Sequence, residues 1–118
     1  MNQITFDFEL TNEERMIMNI LDDCRGKDRA ILGPTISSMT GIKYDEVRQL
    51  ISGLITHHGK LIGSCSRGYY MIVDPAEVDE VYRSLRRRGI AILYRASRIK
   101  KISIVDVFGQ GELHETGN

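Results

Sequence analysis

The chain has 118 residues, 42% of them apolar, with 16 basic and 16 acidic side chains. That length suits one domain with a real core, and the apolar share excludes a disordered chain. No apolar run approaches the roughly 18 residues needed to span a bilayer. The start, Met1 to Asp7, lacks the basic and apolar stretches of a signal peptide. Cys24 and Cys65 form no disulfide framework, so a cytoplasmic location is expected. The zero net charge hides a division. Residues 1–23 carry Asp7, Glu9, Glu13, Glu14, Asp22 and Asp23 against Arg15. Residues 83–101 carry eight bases and no acid. Such asymmetry gives one surface suited to an anionic partner.

Ile4, Phe6, Phe8 and Leu10 alternate loosely, as an edge strand or an arm would. Thr11 and Glu14 have the spacing of a capping box and open a first helix. Met16, Ile17, Ile20, Leu21 and Cys24 follow at helical spacing, up to a stop near Gly26. Ala30-Ile31-Leu32 reads as a one-rung strand. Gly33-Pro34 opens a second helix, with proline at its first position and Ile36 and Met39 turned inward. Gly41 supplies the backbone freedom of a turn at Thr40-Gly41-Ile42, and Ile42 plugs it.

A third helix is expected from Tyr44 to His57, with Val47, Leu50, Ile51, Leu54 and Ile55 as its buried stripe. Gly59 is its stop. Lys60 to Gly63 and Tyr69 to Val73 read as two strands, joined by a loop from Ser64 to Gly68. Asp74-Pro75-Ala76-Glu77 is another helix start. Val78, Tyr82, Leu85, Gly89, Ile92, Ala96 and Ile99 then recur at steps of four and three, a heptad-like seam. The β-branched residues of Lys101 to Phe108 favour a short strand over a continued helix. Residues 109–118 read as a frayed tail.

The order helix, turn, helix, strand pair is the plan of a winged helix-turn-helix. In a helix-turn-helix the second helix reads DNA and the first crosses the backbone. The outward face of the helix from Tyr44 offers Tyr44, Arg48, Gln49 and Ser52, with Lys43 at its start. Arginine can bridge guanine O6 and N7, and glutamine can pair with adenine N6 and N7. Thr35 and Ser37 are candidates for a phosphate, as is Arg67 in the wing. Arg86, Arg87 and Arg88 add a positive field. Asp45 and Glu46, near the start of the reading helix, repel phosphate but suit the helix dipole.

Ile36-Ser37-Ser38-Met39-Thr40-Gly41-Ile42, Val47-Arg48-Gln49-Leu50-Ile51 and Gly68-Tyr69-Tyr70 resemble the winged helix-turn-helix superfamily. Within it they look closest to the N-terminal DNA-binding domain of biotin-repressor-type regulators. The run from Asp74 to Ile102 also resembles small prophage-encoded proteins in which a basic helix follows a winged helix. The resemblance implies an α+β winged helix over residues 1–74, counting an N-terminal arm. A basic C-terminal helix and possible strand would follow at 75–108, then a flexible tail at 109–118. It implies non-catalytic binding of duplex DNA, as in a bacterial or phage transcriptional regulator. The alternative is a winged-helix protein-interaction module, such as a phage replication or assembly accessory protein.

The 78–99 seam has two readings, packing on the protein's own first helix or a homodimer contact. No Ser/His/Asp set or paired carboxylates suggest catalysis. His57 and His58, about 100° apart on a helix, do not converge on one ion. No metal, cofactor or membrane partner is expected.

Overall fold

A computed structural model describes residues 10–109. The expected arm, with Ile4, Phe6 and Phe8, and all of the expected tail beyond Gly109 lie outside the described residues. The chain is α+β and divides between Val81 and Tyr82 into two compact units. Among the described residues no helix is long and apolar enough to cross a membrane.

In the first unit, helix α1 spans Asn12–Leu21. Its capping box is complete: Thr11 N–H donates to Glu14 Oε1 at 2.8 Å and Glu14 N–H to Thr11 Oγ1 at 3.1 Å. The helix stops earlier than its apolar spacing suggests. Asp23 and Cys24 N–H tighten onto Ile20 and Leu21 carbonyls. Cys24 carbonyl then accepts from Met71 N–H at 2.8 Å, which draws the chain toward the wing. A short 3-10 turn follows at Lys27–Arg29, and Ile31 forms the expected single rung, an antiparallel bridge to Tyr69.

Helix α2 spans Gly33–Thr40 and α3 spans Tyr44–His58. Gly41 joins them in the left-handed region at φ 78°, and Gly59 closes α3 in the same way. Strands β1, Ile62–Cys65, and β2, Gly68–Met71, pair antiparallel with Gly63 opposite Tyr70. The loop is shorter than expected, only Ser66 and Arg67. Neither residue has positive φ, and Gly68 takes up the reversal at φ 114°. A Cβ on Gly68 would lie 2.0 Å from Ile31 O, so only glycine lets the single rung approach the hairpin. This order, two helices about a glycine turn and then a hairpin, is compatible with a winged-helix layout.

Ile17 and Leu21 of α1, Ile36 of α2, Ile42 in the turn, Val47, Ile51 and Leu54 of α3, and Ile62 of β1 form the core. Ile42 is buried, as its place in the turn predicts. Three expected apolar-face residues are not. Met39 is 61% exposed and Met16 and Ile55 are also exposed, whereas Met18, absent from the expected stripe, is buried. Ile51 and Leu54 join Ile17 and Leu21 of α1 in the core cluster, and Met39 and Ile55 lie outside it.

Helix α4 spans Pro75–Lys100. Its entry is capped as the sequence predicts, with Glu77 N–H donating to Asp74 Oδ1 at 2.9 Å. Glu77 does more than close that turn. Its carboxylate accepts from Val73 N–H and from Lys27 N–H, both at 2.9 Å, tying the 3-10 turn to the helix start.

In the second unit, α4 continues from Tyr82 with Ser97 as its only buried residue. Ser97 Oγ donates to Tyr94 O at 2.6 Å. Residues 104–109 are helical, not the expected strand. Lys101 turns the chain at φ 63°. Ser103 Oγ then accepts from Asp106 N–H at 3.1 Å, the geometry of an N-cap. Local capping outweighs the β-branched preference of Ile104, Val105 and Val107.

Candidate functional site

Helix α3 turns Val47, Ile51 and Leu54 into the core, which fixes what its other side presents. There Asp45, Arg48, Gln49 and Ser52 line one open groove. Three of the four are residues that the helical spacing singles out. The fourth, Asp45, makes the groove mixed in charge and favours the positive end of the α3 dipole. Lys43 is the exposed N-cap residue and its side chain caps nothing.

Tyr44 begins α3 and lies across the start of α2. A Cβ on Gly33 would sit 2.3 Å from Tyr44 Cε1, so the absence of a side chain at Gly33 makes the bed for that ring. Tyr44 stays 42% exposed. One turn on, the Arg48 guanidinium stands 5.9 Å from the Tyr44 ring centroid, within cation–π range. Burial raises the Tyr69 pKa, the nearby Tyr44 adds to the rise, and Arg48 partly offsets it.

Tyr69 is the residue that spacing alone misses. Its signal is the strand alternation: Tyr70 is fully buried, so Tyr69 faces the other way. Its backbone is fixed on both sides, Tyr69 N–H donating to Ile31 O and Ile31 N–H to Tyr69 O, each at 2.8 Å.

The backbone-contact candidates are placed differently. Thr35, in the first turn of α2, is exposed. The Ser37 hydroxyl donates to Ile42 O and is thereby engaged in the helix-turn-helix corner. Arg67, at the wing tip, reaches Lys27 O and Asp28 Oδ1, each at 3.5 Å, and remains largely exposed. The neighbouring Lys27 is bonded to Glu80 at 2.6 Å, and that carboxylate raises its pKa.

Arg86, Arg87 and Arg88 are exposed on α4 in the second unit. Consecutive helical residues fan by about 100° each, so the three spread over a wide arc and do not all meet one flat surface. The seam is exposed too, from Tyr82 at 62% to Ile99 at 82%.

Elsewhere, His58 Nε2 lies 3.8 Å from Glu14 Oε2, between the end of α3 and the start of α1. The Cys24 thiol donates to Ile20 O at 3.4 Å, and burial pushes its pKa up, which keeps it protonated and poorly nucleophilic. The chain matches no family model, no curated protein and no solved structure.

Proposed function

We propose that the protein is a winged helix-turn-helix that binds duplex DNA without catalysis, as a transcriptional regulator of bacterial or phage type. The observation that carries this reading is the groove of Arg48, Gln49 and Ser52 on the outer face of α3, the helix that follows the glycine turn. Tyr44, Arg48, Gln49 and Ser52 would meet base edges, and Thr35, Lys43 and Arg67 the backbone. Ser37 would act by holding the turn. Arg86, Arg87 and Arg88 would add sequence-independent attraction. The reading puts the protein in the cytoplasm, with the DNA.

Arg48→Ala should cost about 1–3 kcal/mol of specific binding and relax preference at one position. Replacing Arg87 should weaken all duplexes alike and lower the log–log salt slope by about 0.9 if one phosphate contact is lost. Titration of the parent and both variants against a selected and a random duplex at two salt concentrations measures both effects. Equal binding of the two duplexes by parent and Arg48→Ala would remove α3 from the reading role.

The exposed seam favours a second reading, a protein-interaction module. Seven small or apolar residues at heptad spacing, with five large apolar side chains in solvent, suit a helix of a second copy. Sedimentation across a concentration range tests this homodimer through the 78–99 seam. Absent duplex binding at low salt, together with self-association, would favour the interaction module over the DNA reader.

A further inference from the structure

We infer that the α4 seam takes a second copy of this chain with its helix reversed, so that Tyr82 of each copy packs on Ile99 of the other. The inference rests on self-association through the 78–99 seam and adds to it a direction and a register.

The seam alternates between two sets of positions that differ in bulk. Val78, Leu85, Ile92 and Ile99 form one set, all branched aliphatic. Tyr82, Gly89 and Ala96 form the other, which holds both small residues. Tyr82, Leu85, Ile92 and Ile99 are each more than half exposed, and a Cβ on Gly89 meets nothing within 4 Å. Parallel helices in register stack each position on itself. Gly89 then faces Gly89 and Ala96 faces Ala96, which leaves gaps between layers of paired Leu85, Ile92 and Ile99, whereas a packed core tolerates few voids. Antiparallel helices stack one set on the other. With the two-fold axis beside Gly89 and Ile92, Gly89 meets Ile92, Ala96 meets Leu85 and Tyr82 meets Ile99. Each small residue then has a branched one opposite, and the axis repeats all three layers along about 27 Å of helix.

Charge selects the register. Asp79 and Lys100 follow Val78 and Ile99 directly, so they lie on the same flank of the seam at its two ends. Reversal sets Asp79 of each copy against Lys100 of the other and Arg86 against Leu93. Glu77 and Glu80 are already bonded to Lys27, whereas Asp79 has no partner among the described residues. Sliding the reversed pair by one heptad toward the helix start loses the Asp79–Lys100 contact and sets Arg86 on Arg86 and Arg88 on Arg88. The opposite slide sets Arg86 against Lys100. A parallel pair sets Arg95 against Lys100 and gains no opposite-charge contact along the seam. In the register inferred, Arg88 still faces Arg95 on the other flank, so packing holds the pair and charge chooses among its alignments.

The test uses the full chain. Tyr82→Cys and Ile99→Cys variants are mixed, oxidised and digested without reductant, which maps their disulfides apart from any formed by Cys24 or Cys65. The expected product joins position 82 of one copy to position 99 of the other, with no 82–82 or 99–99 bond. In sedimentation, Asp79→Lys should weaken self-association by about three- to tenfold, the worth of two exposed ion pairs. Adding Lys100→Asp to the same chain should restore it. Damage to the helix start alone would not be repaired by a change three heptads away. Bonds between like positions overturn the direction. An Asp79→Lys chain that associates as tightly as the parent, or that Lys100→Asp fails to repair, overturns the register. Each of these results leaves the seam standing as the contact between copies. A parent that stays monomeric at every concentration overturns both the inference and the seam dimer.

Discussion

Helices α3 and α4 both carry apolar residues at steps of three and four, yet they are used in opposite ways. Helix α3 buries Val47, Ile51 and Leu54, while α4, much longer, buries only Ser97. The difference lies in the width of the stripe. In α3, Val47, Leu50, Ile51, Leu54 and Ile55 occupy adjacent columns, a broad face that suits a globular core. In α4 the seam is narrow and includes Gly89 and Ala96, the pattern of a coiled-coil contact. Spacing tells which side chains share a stripe; its breadth tells what kind of surface covers it.

The largest test of that contrast is truncation. Leu54→Ala should cost about 2–5 kcal/mol, because the removed atoms leave a cavity in a filled core. Ile92→Ala, on the exposed seam, should change the stability of the single chain by about 0.5 kcal/mol or less. Urea unfolding of both variants at low protein concentration measures the gap. Comparable losses would mean that the α4 stripe is already covered.

A second test uses glycine within the α3-bearing unit. A Cβ on Gly63 would fall 2.6 Å from Cζ of the fully buried Tyr70, directly across the hairpin. Gly63→Ala should therefore destabilise by about 1–3 kcal/mol, the range of overpacking. The same unfolding assay reads it, and wild-type stability would refute so tight a seat for Tyr70.

The same ring links the core to pH. Burial, and after it Glu77, Glu80 and Cys65, raise the Tyr70 pKa above 10.0; Lys27 opposes them. Burial raises Tyr69 likewise. Above pH of about 10 the unfolded phenols ionise first while the folded ones keep their protons. Stability contributed by these groups is full below the unfolded pKa and is lost as pH rises through the folded one. Thermal midpoints should fall on the alkaline side, and Tyr70→Phe should flatten that fall. An unchanged slope in the variant would place the alkaline sensitivity elsewhere.

Much of this was legible in the sequence where the cause is local. Thr11 with Glu14, Gly41, Gly59 and Asp74-Pro75 mark boundaries because each satisfies or reverses its own stretch of backbone. Ile31 as a single rung and Ile42 as a plug were readable from short apolar runs set between turn signals. Met16, Met39 and Ile55 were not, since exposure depends on which neighbouring elements cover a helix face. The segment at 104–109 misled because three β-branched residues were weighed above one serine cap. For the candidate site, the spacing that singled out Arg48, Gln49 and Ser52 is a property of one helix. The seat of Tyr69 depends on its backbone bridge to Ile31, far off in the chain, and no periodicity carries that. Gly33 was readable as a helix opening but not as the bed of Tyr44.

The smallest expected effect discriminates by its sign. A Cβ on Gly89 meets nothing within 4 Å, and the residue lies inside α4. Glycine in a helix interior costs roughly 0.5–1 kcal/mol relative to alanine through its unfolded-state freedom. Gly89→Ala should therefore stabilise the single chain by about that much, opposite in sign to Gly63→Ala. A second copy lying close against α4 at Gly89 would reverse the result, because the added methyl would push the two helices apart. Thermal unfolding at low and high protein concentration separates the cases. A gain at both concentrations means that the seam stays open at Gly89, and a loss that grows with concentration means that a second helix lies against it.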